Sequence, residues 1–168
     1  MIQDLTHPLP ADALTLRPAA QFAPGHLVFL KEHGVMLRFN AVDGKKQRLM
    51  LLALQVSEGH SIGSAVDAEK IPGFFFGSVQ PVSLSVRMQD DPDDDIGQEA
   101  IRGKVAFFEE IGWRIIGVGS ALPFRQQYFI DPADWQAKHK PPSTNKLLLD
   151  HWRLSLPIGT DSQSVIDI

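Results

Sequence analysis

The pattern of hydrophobic and polar positions predicts a chain of short strands joined by tight turns. Apolar residues alternate with polar ones from Val35 to Val42, and again from Val82 to Met88. This alternation is typical of strands that bury one side and expose the other. A third stretch, Leu49 to Leu54, is apolar at every position and therefore predicts a strand that is covered on both faces.

Turn residues between these stretches predict an antiparallel meander. The run Leu27-Val28-Phe29-Leu30 is followed by a turn at Glu32-His33-Gly34, and the alternating strand after it ends at Asp43-Gly44. The Asp-Gly pair supplies the positive φ that a tight hairpin requires. We therefore expect three consecutive strands, each antiparallel to the next.

Two short helices are also expected. Ser64-Ala65-Val66-Asp67 resembles a capping box that Pro72-Gly73 would end, and Asp131-Pro132 resembles an N-cap with proline at the first helical position. No long helix alternates with the strands. The predicted fold class is all-β and mainly antiparallel, a single-domain sandwich or barrel with one or two short helices.

The expected domain organisation has three parts. Residues 1–25 contain four prolines and predict an extended lead-in with one short strand at Leu14-Thr15-Leu16. Residues 26–158 form a single β-rich domain, whose last strand is expected from Leu148 to Leu156, and residues 159–168 form a flexible tail.

The N-terminus lacks a positive n-region and an apolar h-region, so we expect a cytoplasmic protein without a membrane segment.

Composition and charge limit the kinds of functional site and partner that this chain can have. The 168 residues include no cysteine, which excludes disulfides and thiolate sites, and the formal net charge is -4. The window from Asp90 to Glu110 has eight acidic residues against Arg102 and Lys104. This charge argues against nucleic acid as a partner, and the acidic window favours a basic protein partner. The proline-bearing ends of the chain, which can lie along a neighbouring subunit, make self-association the alternative expectation.

The motif with the clearest catalytic meaning is Gly59-His60-Ser61-Ile62-Gly63. It fits the G-x-S-x-G pattern and resembles the nucleophile elbow of the α/β-hydrolase family. The resemblance implies Ser61 as nucleophile, with His60 beside it, and His33-Gly34 resembles the oxyanion-hole strand of that family.

The family order of serine, acid and histidine would be completed further along the chain. The acid would be Asp131, Asp134 or Asp150, and the histidine His139 or His151. The Asp43-Gly44 hairpin between the two motifs, however, predicts antiparallel strands, whereas the family sheet is parallel. A small serine hydrolase is therefore the second of our two functional hypotheses.

Two further segments are candidate binding sites. Phe74, Phe75 and Phe76 stand between two glycines and would either line a ligand pocket or close the end of the core. Asp91, Asp93 and Asp95 are alternate carboxylates of one loop and would either converge on Ca²⁺ or form a solvated surface. Calcium is the one cofactor that the sequence suggests.

The first functional hypothesis is a non-catalytic binding or assembly module. It would act through protein–protein contacts or a small ligand, since the predicted β scaffold brings no complete set of catalytic residues together. The motif around Ser61 is the sequence feature that separates the two hypotheses.

Overall fold

A computed structural model describes residues 8–55, 61–86, 102–119, 126–138, 146–149, 151–159 and 163–168. These residues form 14 strands: β1 (Leu14–Arg17), β2 (Leu27–Leu30), β3 (Gly34–Asp43), β4 (Lys46–Ala53), β5 (Ser64–Asp67), β6 (Phe75–Ser78), β7 (Ser83–Val86), β8 (Val105–Phe108), β9 (Gly112–Gly119), β10 (Gln127–Ile130), β11 (Gln136–Lys138), β12 (Lys146–Leu149), β13 (Trp152–Pro157) and β14 (Gln163–Asp167). The helical segments of the described chain are three 3₁₀ turns, Ala11–Ala13, Ala19–Gln21 and Ala68–Lys70. The predicted all-β class is confirmed.

The meander of β2, β3 and β4 forms as predicted. Leu37 of β3 lies opposite Leu27 of β2 on one side and opposite Leu52 of β4 on the other, and both pairings are antiparallel. Gly44 has a φ of +59° in the β3–β4 hairpin, which is why the Asp-Gly signal located this turn correctly. Leu51 of β4 points away from Leu52 and is also buried, so this strand is covered on both faces.

Six strands close into a barrel in the order β3, β11, β10, β9, β5, β4, with β4 pairing back to β3. The β3–β11 and β5–β9 pairs are parallel, and the other four are antiparallel. The interior is apolar and includes Leu37, Phe39, Met50, Leu52, Ala65, Ile115, Tyr128, Ile130 and Ala137. Of the two architectures that the sequence left open, the chain therefore contains the barrel.

The sheet extends beyond the barrel on both sides. β2 continues from β3 and is followed by β6 and then β1. β8 pairs with the barrel strand β9, and β12 pairs with β8. In the described part of the chain, β1 and β12 are thus the two edge strands of this sheet.

A second sheet of three strands, in the order β14, β13, β7, packs against the same core. Its inward side includes Trp152, Leu154, Leu156 and Ile166, which belong to the core cluster of the barrel interior. The indole Nε1 of Trp152 donates a 2.8 Å hydrogen bond to the carbonyl oxygen of Gly103, which fixes the position of β13. Both sheets therefore share one hydrophobic core.

The helix predicted from Ser64 is wrong, because Ser64–Asp67 is strand β5. Gly63 donates its N–H to the carbonyl oxygen of Ala53, and its own carbonyl oxygen accepts from the N–H of Val118. These two bonds place the segment between β4 and β9. The capping signal has a local basis, since Asp67 accepts a 3.0 Å hydrogen bond from the N–H of Glu69. It caps only one 3₁₀ turn, as the sheet bonds hold the preceding residues extended.

The helix predicted from Asp131 is also wrong. Asp131 Oδ1 accepts from the N–H of Ala133, and the Asp131 carbonyl accepts from the N–H of Trp135, which together close a single turn. Trp135 then adopts a φ of +58°, which reverses the chain into β11. The Asp131 side chain accepts a backbone N–H, as an N-cap would, but it caps no helix because strand pairing determines the conformation of the residues after this turn.

The C-terminal region differs from the expectation in two ways. The single strand expected from Leu148 to Leu156 is divided into β12 and β13, which belong to different sheets. Residues 163–167, within the expected flexible tail, form β14 and pair with β13, with Ser164 and Ile166 buried. Alternation of buried and exposed positions holds this segment in the sheet despite its polar composition.

Candidate functional site

Ser61 lies at an exposed turn that leads into β5. Its N–H donates to the hydroxyl of Ser64 at 3.2 Å, and its carbonyl accepts from the N–H of Ser64 at 3.0 Å. Gly63 completes the turn with a φ of +84°. Gly59 and His60, the other residues of the motif, lie outside the described residues.

The structure places the proposed partners of Ser61 in other environments. His151 is exposed, just before β13, and Asp131 forms an ion pair with Arg114 at 3.3 Å. Asp134 accepts a hydrogen bond from the N–H of Gln136, while Asp150 and His139 lie outside the described part of the chain. Among the described residues, no hydrogen bond joins Ser61 to a histidine, and the hydrolase hypothesis stays a prediction.

The three phenylalanines after Gly73 face different surroundings. Phe75 is partly buried against the cluster that covers the outer side of β3 and β4. Phe74 is 69% exposed and Phe76 is 55% exposed. Only Phe75 contributes to a core, whereas Phe74 and Phe76 present aromatic surface to solvent.

Phe76 belongs to an apolar row that runs across three strands. It lies opposite Leu16 of β1 and opposite Phe29 of β2. Residues that are directly opposite in adjacent strands point to the same face of the sheet, so these three side chains are neighbours. We call Leu16, Phe76 and Phe29 row A. Leu16 is 52% exposed, whereas Phe29 packs partly against the core.

A second row crosses the other extension of the sheet. Phe107 of β8 lies opposite Leu147 of β12 and opposite Trp113 of β9. The rings of Phe107 and Trp113 meet edge to face with centroids 5.0 Å apart. We call Leu147, Phe107 and Trp113 row B. The sequence analysis missed this row. Phe107 and Trp113 face each other across one short hairpin, but Leu147 is distant in the chain and only strand pairing brings it beside Phe107.

Two of the cavities on the surface of the described residues are lined by charged side chains. A groove of about 710 Å³ lies on the outward side of the small sheet and is lined by His151, Ser85 and the ion pair of Arg153 with Asp167. Both members of that pair are exposed, so the attraction between them is screened by water.

A smaller cavity of about 330 Å³ lies on the outer wall of the barrel and is lined by Val42, Ile111, Arg114, Phe129, Asp134 and Lys138, among others. Arg114 is already engaged there. It donates to the carbonyl oxygens of Ile111 and Trp113 and pairs with Asp131. The guanidinium therefore stabilises the turn between β8 and β9. Most of its hydrogen-bonding capacity is used within the protein, so it is poorly placed to bind a ligand.

Among the described residues, Arg38 is the largest buried polar side chain, at 2% exposure on the outer side of β3. It donates to the carbonyl oxygen of Phe39, but its Nε has no hydrogen-bond partner among the described residues. Desolvation lowers the pKa of Arg38 from its ordinary value to about 10, and the nearby charge of Glu69 opposes this shift. Asn40, two residues along the same face, is also buried, and its Oδ1 accepts no hydrogen bond from the described residues.

The calcium hypothesis falls on Asp91, Asp93 and Asp95, which lie outside the described residues. Within the described ranges, no three histidine, aspartate or glutamate side chains converge as a metal site would require.

No helix of the described chain has the length and hydrophobicity to cross a membrane. Comparison with known protein families, characterised proteins and solved structures finds no match to this chain.

Proposed function

We propose that the protein is a non-catalytic binding and assembly module that acts through protein–protein contacts. The observation that carries the proposal is row A, where Leu16 and Phe76 are aligned in register on two neighbouring strands and are both more than half exposed. Phe74, two residues before Phe76, is also exposed. Neighbouring exposed apolar side chains such as Leu16 and Phe76 are typical of interaction sites.

The energetic argument concerns the exposed part of each side chain. Full burial of a leucine or phenylalanine stabilises a complex by about 1.5–3 kcal/mol, so covering the exposed halves of Leu16 and Phe76 contributes about 1 kcal/mol each. The charged groups lining the two cavities are largely paired with each other or with the backbone. These contacts favour the apolar rows over the cavities as the binding surface, and a small ligand stays a prediction.

Site-specific cross-linking tests this proposal. A photoreactive phenylalanine analogue in place of Phe76 is activated in the native cells, and adducts are identified by mass spectrometry. The matched control carries the analogue in place of Gln47, which is exposed on β4 and outside both rows. We expect a defined protein adduct from position 76 that is absent from position 47 and is lost when Leu16→Lys is added. Absence of any adduct from position 76 contradicts the proposal.

The hydrolase alternative has its own test. A fluorophosphonate probe is incubated with the protein and with Ser61→Ala, and the proposed function predicts that neither is labelled. Labelling of the wild type that is lost in Ser61→Ala supports catalysis instead. The cytoplasmic location expected from the sequence also stays a prediction.

A further inference from the structure

The smaller cavity, on the outer wall of the barrel, is lined by both apolar and polar side chains. Its apolar lining consists of Val42, Ile111 and Phe129. Its polar lining includes Gln136 and Lys138, which are two residues apart on β11 and therefore point to the same outward side. Lys138 lies opposite Phe129 of β10, so a charged side chain stands next to an apolar ring. The volume of about 330 Å³ is in the range of sites that hold small molecules.

Four charged side chains line this cavity, and two of them pair with each other. Arg114 and Asp131 form the ion pair already described. Among the described residues, Lys138 has no partner for its ammonium. Asp134 accepts a 3.0 Å hydrogen bond from the N–H of Gln136 through Oδ1 and forms no ion pair within the described chain. One ammonium and one carboxylate therefore line the same cavity without pairing with each other.

The polar part of the wall is not saturated by hydrogen bonds within the described chain. The side-chain amide of Gln136 is exposed and makes no hydrogen bond there. Asn40 lies opposite Gln136 in the parallel register of β3 and β11, and the buried Oδ1 of Asn40 has no partner among the described residues. Because an amide both donates and accepts, Gln136 can add a hydrogen bond to either charged end of a ligand.

We propose that this cavity binds a free α-amino acid with an apolar side chain. The α-carboxylate pairs with the ammonium of Lys138, and the α-ammonium pairs with the carboxylate of Asp134. The apolar side chain of the ligand covers Val42 and Ile111, which are partly exposed in the free protein. This site adds a small ligand to the proposed function and does not depend on row A.

Other classes of ligand fit this lining less well. The lining has two positive and two negative side chains, so a ligand without net charge leaves no excess charge in the cavity. A phosphate or a dicarboxylate would bring two negative charges close to Asp131 and Asp134, which repel them. A purely apolar ligand would cover Lys138 and Asp134 without giving either one a partner, which costs desolvation energy.

An NMR titration of the full chain with L-leucine tests the proposal. We expect saturable shifts of the backbone amide signals of the residues that line the cavity, with a dissociation constant of about 1 mM, because both ion pairs are open to water. Glycine, which has no apolar side chain, should bind at least about threefold more weakly. N-acetyl-leucine, leucine methyl ester and inorganic phosphate each lack one of the two charges and should also bind at least about threefold more weakly.

Two variants assign each charged end of the ligand to one side chain. Lys138→Gln and Asp134→Asn are similar in size to the native residues, and each should raise the dissociation constant for leucine at least about threefold. Lys138→Gln should not change the binding of the methyl ester, and Asp134→Asn should not change that of N-acetyl-leucine. The matched controls, Lys70→Gln and Asp12→Asn, remove the same charges at exposed positions outside the cavity and should bind leucine like the wild type.

Several outcomes would overturn the inference. These are an absence of saturable shifts with leucine, shifts confined to residues away from the cavity, and leucine binding that neither variant weakens. Equal affinity for leucine, N-acetyl-leucine and phosphate would also overturn it, because the cavity would then select only for an anion. The comparison of ligands uses the wild type alone, so it stays decisive even if a variant fails to fold.

The two proposals concern separate surfaces and fail separately. Leu16→Lys should leave leucine binding unchanged, and Lys138→Gln should leave the cross-links from position 76 unchanged. If leucine does not bind while position 76 gives its adduct, only the amino acid site is wrong. If leucine binds while position 76 gives no adduct, the protein-binding function is contradicted and the amino acid site stands.

Discussion

Tyr128 is the only tyrosine of the chain, and its ring lies inside the barrel. It meets Phe39 edge to face with centroids 5.6 Å apart, and its hydroxyl donates a 3.0 Å hydrogen bond to Gln126. Burial raises the pKa of Tyr128 above 10.0, and the charge of Arg48 opposes this shift. Because no other residue contributes a tyrosinate signal, this pKa can be measured directly.

We predict that the tyrosinate absorbance of the native protein has its midpoint above pH 10.0 and that Arg48→Gln raises the midpoint further. The unfolded chain loses the phenol proton at a lower pH than the folded protein. The free energy of unfolding therefore falls as the pH rises from 10.0 toward the raised pKa. Tyr128→Phe should remove this part of the pH dependence. A native midpoint at or below that of the unfolded chain contradicts the prediction.

A second prediction at the residue scale concerns how Arg38 affects the stability of the fold. A buried guanidinium with an unpaired Nε costs desolvation energy, and replacing it by an apolar side chain of similar length removes that cost. We predict that Arg38→Met raises the free energy of unfolding by about 1–3 kcal/mol in a urea titration. Arg17→Met, at an exposed position, should change it little. A loss of stability in Arg38→Met would mean that the guanidinium makes a net favourable contribution.

The pH dependence from Arg38 has the opposite sign to that from Tyr128. Its lowered pKa means that the folded protein releases the proton before the unfolded chain does. This group therefore raises the free energy of unfolding as the pH rises from about 10 toward the ordinary pKa of arginine.

At the scale of elements, β6 depends on a glycine. Gly77 lies between Thr15 of β1 and Val28 of β2, and a Cβ there would lie 2.3 Å from a ring carbon of Phe22 and 2.7 Å from the Leu27 carbonyl oxygen. We predict that Gly77→Ala lowers the free energy of unfolding by about 1–3 kcal/mol, because the buried ring must move. Gly159→Ala, with no atom within 4 Å of the added Cβ, is the matched control. Equal stabilities would show that Phe22 adapts without cost.

The strands also show which parts of the fold the local sequence pattern can predict. The strong alternation of β3 and the turn at Gly44 were sufficient to predict the β2–β4 meander. β10 and β11 have four and three residues, too few for a recognisable period, and the signal at Asp131 favoured a helix. The pairing of Gln136 with Asn40 in β3 overrides that local preference.

At the scale of the whole molecule, Trp152 attaches the small sheet to the barrel. Its Nε1 bond to the Gly103 carbonyl is buried, and Trp152 Cα lies opposite Val86 in the neighbouring strand. We predict that Trp152→Phe lowers the free energy of unfolding by about 1–3 kcal/mol in a urea titration, since the carbonyl loses its donor. Trp113→Phe removes ring area without removing a hydrogen bond described in the structure, and should cost less. A smaller loss for Trp152→Phe than for Trp113→Phe contradicts this role.

The candidate sites were predictable only in part. The glycine-flanked run Phe74–Phe76 was selected from the sequence as a pocket lining or as the end of the core, but the exposure of Phe74 and Phe76 was not predicted. His151 was selected as a candidate triad histidine, which stays a prediction. Rows A and B could not be predicted, because each joins three strands whose order along the chain does not determine their order in the sheet.

The sequence by itself determined that the chain is built of strands, where the main hairpin turns, and which side of β3 faces the core. These features depend on the alternation of side chains and on the φ preference of glycine, which are properties of neighbouring residues. The tertiary structure decided the barrel, since its closure requires β3 to pair with β11 and β5 to pair with β9 in parallel. Those pairs join residues distant in the chain, and their stability comes from the shared core, so no local segment encodes them.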